Sequence, residues 1–254
     1  MKAFLAFTKK EFLEQLRTYK WLLVFSVLLV FGMISPLLAK LMPDLIGSMK
    51  LEGMKIVIPE PTIMDAYAQY FKNLTQMGIL MLLLVFGGTI SNEIMKGTLV
   101  NILAKGLPRH TVILSKYTAA AALWTAGYVL SAITAYGYTC YLFPDAPVQN
   151  LIVSLFCLWL FGCFVIALIF LSSTLTTGNF GGLIVSAITL ILMLTVSSLP
   201  GTAKFNPVTL AERNTALLDG TQSVEGLMIT LILTVLFTLG CLCSSILLFQ
   251  RKKL

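Results

Sequence analysis

The residues of this 254-residue chain that could carry acid–base, nucleophilic or metal chemistry are one histidine, eleven carboxylates and five cysteines. The histidine, His110, lies in a charged segment between two apolar runs, so no Ser/His pair can be assembled within them. None of those runs carries Asp or Glu at its centre, which leaves an ion relay across a membrane without its usual groups. Cys140, Cys157, Cys163, Cys241 and Cys243 all fall inside apolar runs, a placement that predicts core packing rather than a disulfide framework. Cys241 and Cys243, two residues apart, point to different faces of a helix and make a poor metal pair. The Gly-x-x-x-x-Gly-Lys-Ser/Thr phosphate loop is absent. We therefore expect no enzyme activity and no cofactor bound by this chain itself.

The elements that would have to position any such group are membrane helices. Hydrophobic residues make up 57% of the sequence and charged residues 11%, too apolar for the surface of a water-soluble domain. Six uncharged apolar runs, at about 21–39, 75–91, 117–143, 151–172, 180–199 and 227–249, each have a length that suits a bilayer span. Backbone groups in lipid must be satisfied internally, so each run is expected to be helical. The fold class is an all-α membrane protein, one transmembrane domain over 1–254. Thr62 and Asp65 after Pro61 form a capping-box pattern, so the second helix should begin well before its apolar run. Ile63, Tyr67, Tyr70 and Leu74 then share one face.

Charge sets the expected orientation. The N-terminal segment, the 92–116 segment and the C-terminal tail hold 12 Lys and Arg against three Asp and Glu; the other connections hold six against eight. The balances, +9 and −2, recover the net charge of +7, and the positive-inside rule places both termini in the cytoplasm. Basic residues spread over three membrane-flanking segments fit anionic lipid rather than nucleic acid as a partner. Before the first run, Leu5, Thr8, Phe12, Leu16 and Tyr19 gather on one side of a helical wheel, opposite Lys10 and Arg17. That pattern describes an amphipathic interfacial helix over 1–20. Gly178, Gly182 and Ser186 recur at four-residue spacing and form a stripe on which another helix can pack closely.

The most specific stretch is NEIMKGTLVNILAKGLPRHTVILSKY, Asn92 to Tyr117. Gly97 and Pro108 bracket a short helix of about ten residues there. In order and spacing, Glu93, Gly97, Thr98, Leu99, Leu103, Pro108, Arg109 and Lys116 resemble the first cytoplasmic loop of ABC transporter permeases of the type-2 exporter family. The resemblance extends over the whole chain, from the amphipathic start through six spans to a long outer segment before the last. It implies that this loop, with Lys96 and Lys105 on its flanks, forms a coupling helix seated on a separate ABC ATPase subunit that binds ATP and Mg. It also implies a second permease subunit, identical or related, facing the first and fifth spans, and short outer helices between Pro200 and Gly226. The expected protein is thus a multi-pass subunit of a bacterial cell-membrane exporter for amphipathic or hydrophobic cargo such as peptides, lipids or antibiotics. A secondary transporter and a non-transporting anchor or sensor subunit are the alternatives that the residues leave open.

Overall fold

The computed structural model describes residues 2–48, 60–104, 106–144, 148–178, 180–199 and 201–252, and Lys105 of the expected coupling segment lies outside them. Twelve α-helices are present among these residues, with no strand. They are α1 (Lys2–Arg17), α2 (Lys20–Ser48), α3 (Ile63–Asn73), α4 (Ile79–Phe86), α5 (Thr89–Met95), α6 (Thr98–Ala104), α7 (Arg109–Leu142), α8 (Leu151–Leu175), α9 (Gly181–Ser197), α10 (Thr209–Glu212), α11 (Asn214–Leu218) and α12 (Val224–Arg251). Five stretches are long and apolar enough to cross a membrane: Lys20–Pro43, Ile63–Met95, Arg109–Leu142, Leu151–Leu175 and Val224–Arg251. The fifth expected span, 180–199, corresponds to α9, a shorter apolar helix of 17 residues.

Why α8 occupies the centre can be read from its residues. It is apolar on every side, and a helix without a polar face has no reason to sit at the periphery of a soluble-facing surface. In its most apolar window 72% of residues are buried, against 22% for α12, which presents most of its surface outward. Helices α7, α9 and α12, together with the short α10 and α11, all pack around α8. The inward face of α12 is small and hydroxylic, with Thr230, Thr234, Thr238 and Ser245 buried. Thr234 and Thr238 each donate to the carbonyl four residues earlier, which satisfies the hydroxyl without a partner helix.

The second span starts where the capping residues place it. The Thr62 side chain accepts from the Asp65 amide while Asp65 accepts from the Thr62 backbone amide, a complete capping box. Tyr67, Tyr70 and Leu74 are buried on the expected face, with Ile63 partly buried beside them. A π-helical turn, Leu74–Gly78, leads into α4, and Gly87–Gly88 breaks the helix before α5. The cysteines are more varied than a core role predicts: Cys157 and Cys163 are buried, Cys241 is half-buried, and Cys140 and Cys243 are exposed on outward helix faces.

Side-chain contacts fix which helix ends lie together. Arg109, at the start of α7, donates to the carbonyls of Phe249, Gln250 and Lys252 at the end of α12. Lys252 in turn donates to the carbonyls of Thr174 and Thr176 at the end of α8. The N-terminal helix α1 packs on α7 at this same end. At the other end, Ser154 near the start of α8 donates to Asn214, and Ser197 at the end of α9 donates to Glu212. Helix α9 therefore runs back alongside α8 from one end of the bundle to the other, and α1 and the end of α12 share one end.

Candidate functional site

At the end shared by α1 and α12, three helices contribute to one ionic cluster. Glu11 comes from α1, whose inner face is Phe7, Glu11 and Gln15, all buried. Glu93 comes from α5, and two groups fix the position of that helix. The Ser173 hydroxyl on α8 accepts from the backbone amides of Ile90 and Ser91, capping a helix whose own N-cap residue, Gly88, has no side chain to do so. Gly182 on α9 lies so close to the Gly87 carbonyl that a Cβ there would collide with it. Between these carboxylates stands Lys116, 1% exposed, in the second turn of α7. Its Nζ donates to Glu11 Oε2 at 2.8 Å and to Glu93 Oε1 at 2.6 Å. The Phe7 ring lies 5.9 Å from the same ammonium.

A buried lysine between two carboxylates is a coherent unit because each charge relieves the desolvation of the other. Carboxylate oxygens of Glu11, Glu14 and Glu93 lie within 4.8 Å of one another, a grouping that could hold a cation. The Lys116 ammonium sits against two of them, so the charge such a site would need is supplied by the protein. Lys10 extends the cluster outward, pairing with Glu11 at 3.0 Å and also with Glu14 one turn on. Burial disfavours the charged form of Lys10, but Glu14 and Glu11 outweigh it and raise its pKa. Burial likewise pushes the Glu14 carboxyl upward, and the Lys10 hydrogen bond with the charges of Lys116, Lys10 and Lys20 brings it below its usual range.

The residues expected to form a solvent-facing coupling loop divide into two sets. Glu93, Leu99 and Lys116 face inward: Leu99 is fully buried, and the two charged groups are in the cluster rather than on a docking surface. The reason is α1, whose Glu11 offers Lys116 a second carboxylate and draws the base of α7 under cover. Arg109 is also engaged, with the α12 carbonyls, where a cation complements the helix dipole. Lys96, Thr98 and Pro108 are exposed and Leu103 is half-buried. The bracketed helix is α6, seven residues long instead of about ten, because Gly106 (φ +86°) already leaves the helical region before Pro108. Gly97 adopts φ +67°, the left-handed conformation that a glycine takes at low cost, and separates α5 from α6.

The N-terminal helix has its faces reversed relative to a soluble amphipathic helix. Leu5, Phe12, Leu16 and Tyr19 are exposed, as is Arg17, while the Phe7–Glu11–Gln15 face packs inward. Reading the wheel for its apolar side found the outward surface and passed over Glu11. The signal was a carboxylate on the opposite face, available to a lysine at the edge of an apolar run. Of the small-residue stripe, Gly182 and Ser186 are buried against neighbouring helices within the chain, whereas Gly178 precedes α9 and faces open space.

No family model matches the chain. Over 163 residues it is 24% identical to the uncharacterized transmembrane protein YxlG of Bacillus subtilis (strain 168), a match covering 63% of each chain. The aligned part thus spans less than two thirds of that relative's length. The likeness agrees with the apolar helices in describing a transmembrane protein, with several passes through the bilayer.

Proposed function

We propose that this chain is the permease subunit of an ATP-driven exporter of the ABC type-2 kind, built from six spans with α9 as the fifth, both termini cytoplasmic in a bacterial cell. ATP and Mg belong to a separate ATPase subunit, and a second permease, identical or related, completes the pathway. The observation that carries this reading is the Lys116 bridge. It joins α1, α5 and the base of α7 into one body directly beside α6, whose exposed Lys96 and Thr98 flank offers a handle for a partner. A push on α6 by a closing ATPase dimer reaches α5 across Gly97 and passes through Glu93 and Lys116 into the 34 residues of α7. A span that long turns a small movement at its base into a change of access along its length.

The cargo fits the amphipathic class, because the buried charges gather at one end and α8, the central helix, is apolar from Leu155 to Leu171. The test is purification of the chain from its native membrane and reconstitution with any ABC ATPase that co-purifies. Co-purification, ATP-driven uptake of an amphipathic dye and insensitivity to ionophores are expected. Uptake by the chain alone under an imposed proton or sodium gradient, with no nucleotide, would overturn the proposal in favour of a secondary transporter.

A further inference from the structure

Beside the ionic cluster, at the level where the apolar run of α2 begins, a cavity of about 540 Å³ opens between α1, α2, α4 and α5. That volume falls within the range of small-molecule sites. Its wall carries Lys20 and Lys96, neither of which has an ion-pair partner among the described residues. Lys20 instead sits 5.8 Å over the Phe86 ring. Thr89, Asn92 and Thr98 line it as well, with Lys10, Glu14 and Glu93 of the ionic cluster, and the Thr89 hydroxyl, the Asn92 amide oxygen and Glu93 Oε2 are buried without a hydrogen-bond partner. A buried hydroxyl and amide oxygen left open are costly, so their presence together at one cavity points to something that completes them. The apolar side of the wall is Leu84 and Val85, and Leu84 is 63% exposed on the outward side of α4.

From this geometry we infer a binding site for a membrane phospholipid with a monoanionic phosphodiester and a hydroxyl-bearing headgroup. Charge supports a single negative charge: the paired groups, Lys10 and Lys116 with Glu11, Glu14 and Glu93, sum to −1, and Lys20 with Lys96 brings the region to +1. Lys20 and Lys96 face the phosphate, and the Thr89 hydroxyl donates to it. Asn92 Oδ1, an acceptor, takes the headgroup hydroxyl. Leu84 continues the wall into the surface that lipid chains cover, and this places the acyl chains outside the cavity and the phosphate within it. A lipid here would brace α2 against α5; Lys96 is shared with the flank proposed to meet an ATPase, and lipid retention by the chain alone is read without that partner.

Native mass spectrometry of the purified full chain, titrated with phosphatidylglycerol, phosphatidylmethanol and phosphatidylcholine, tests it. One phosphatidylglycerol is retained preferentially, and each of Lys20→Gln and Lys96→Gln lowers its affinity about fivefold. Lys20→Arg and Lys96→Arg keep it, as do the charge removals Lys72→Gln and Lys204→Gln elsewhere. Phosphatidylmethanol, with the same charge but no headgroup hydroxyl, binds about fivefold more weakly to the wild type and equally well to Asn92→Leu. Soluble glycerophosphoglycerol in about hundredfold excess leaves the lipid in place, because it lacks the chains that hold lipid at the surface. Equal retention of phosphatidylcholine, unchanged affinity in the double Lys20→Gln/Lys96→Gln variant, or displacement by the soluble diester would each overturn the lipid site.

Discussion

At the end of the bundle where α1 meets α7, the helices are joined by charge: Lys116 holds Glu11, 105 residues away in sequence, and Glu93, 23 residues away. At the opposite end, where α10 and α11 cover the start of α8, the charged Glu212 and Arg213 bond only the neutral Ser197 and Gln222, and the buried joints fall to amides and hydroxyls that bond backbone. Asn206 donates to the Met193 carbonyl and accepts from the Val208 amide; Asn150 donates to Leu217, and Ser154 to Asn214. Apolar side chains seal that end, with Val208, Leu210, Leu217 and Leu218 buried. A neutral hydrogen bond to a carbonyl has one satisfied state and little reason to exchange. An ammonium between two carboxylates has two partners to choose from, so the first end can rearrange as a unit while the second serves as a fixed point. This division suits the proposed coupling to an ATPase at the charged end.

The largest effect that would break the comparison is at Lys116. Lys116→Met leaves Glu11 and Glu93 facing each other in a buried place, and removal of one partner from such a set costs about 3–5 kcal/mol. Thermal unfolding in detergent should show it as a steep loss of stability. The triple change Lys116→Met, Glu11→Leu and Glu93→Gln removes all three charges together and should recover most of that loss. If the triple variant is stable but no longer couples to an ATPase, the cluster serves motion rather than folding.

How much of this was legible in the sequence differs between the two ends for a physical reason. Long apolar runs announce spans because lipid demands them, and α2, α7, α8 and α12 lie where those runs are. The Thr62–Asp65 cap was legible because its partners are three residues apart. Glu11 was not, since its partner is on another helix and the apolar side of α1 draws attention to Leu5 and Leu16, which face outward in the fold. Lys116 and Glu93 were legible as a pattern but not as a pair: spacing on a strand of text carries no information about which side of a helix closes under a neighbour. The break at Gly87–Gly88 was missed because the close approach that needs it comes from Gly182, on a different span.

A smaller loss is expected at the neutral end. Asn206→Ala removes an amide, 6% exposed, that serves both the Met193 carbonyl and the Val208 amide, leaving the buried Val208 amide without a partner. The cost is about 1–3 kcal/mol and should be insensitive to salt, unlike changes in the exposed part of the charged end. Equal salt dependence at both ends would contradict the distinction drawn here.

Next in size is Arg109, whose guanidinium reaches three carbonyls at the end of α12. Arg109→Ala should free the last turn of that helix at a cost of about 1–2 kcal/mol, and hydrogen exchange at residues 248–252 is the direct reading. Arg109→Lys keeps the charge but is shorter than the guanidinium whose Nη1 makes all three contacts, so it should protect only part of that turn. Full protection in Arg109→Ala would mean that Lys252, through Thr174 and Thr176, holds the helix end alone.

The smallest effect tests the exposed margin of the ionic cluster, where Lys10 and Glu14 pair one turn apart on α1. Both side chains are about two-fifths exposed, so solvent screens the pair and its contribution should be about 0.3–0.5 kcal/mol. The sign of its pH dependence follows from the two shifts. Glu14 has a folded pKa below its unfolded value of 4.5, so its contribution is present above that pH and is lost as pH falls through the lower, folded value. Lys10 has a folded pKa above its unfolded value of 10.5, so its contribution is present below that pH and is lost as pH rises through the higher one. Between the two unfolded values the pair contributes a flat increment, and Glu14→Gln should remove the acid arm while also lowering the alkaline arm, because Glu14 is the strongest partner of Lys10. The measurement is the difference in unfolding midpoint between wild type and Glu14→Gln from pH 3 to pH 7. A difference that grows on acidification would reverse the sign and show that Glu14 is strained by burial rather than held by Lys10.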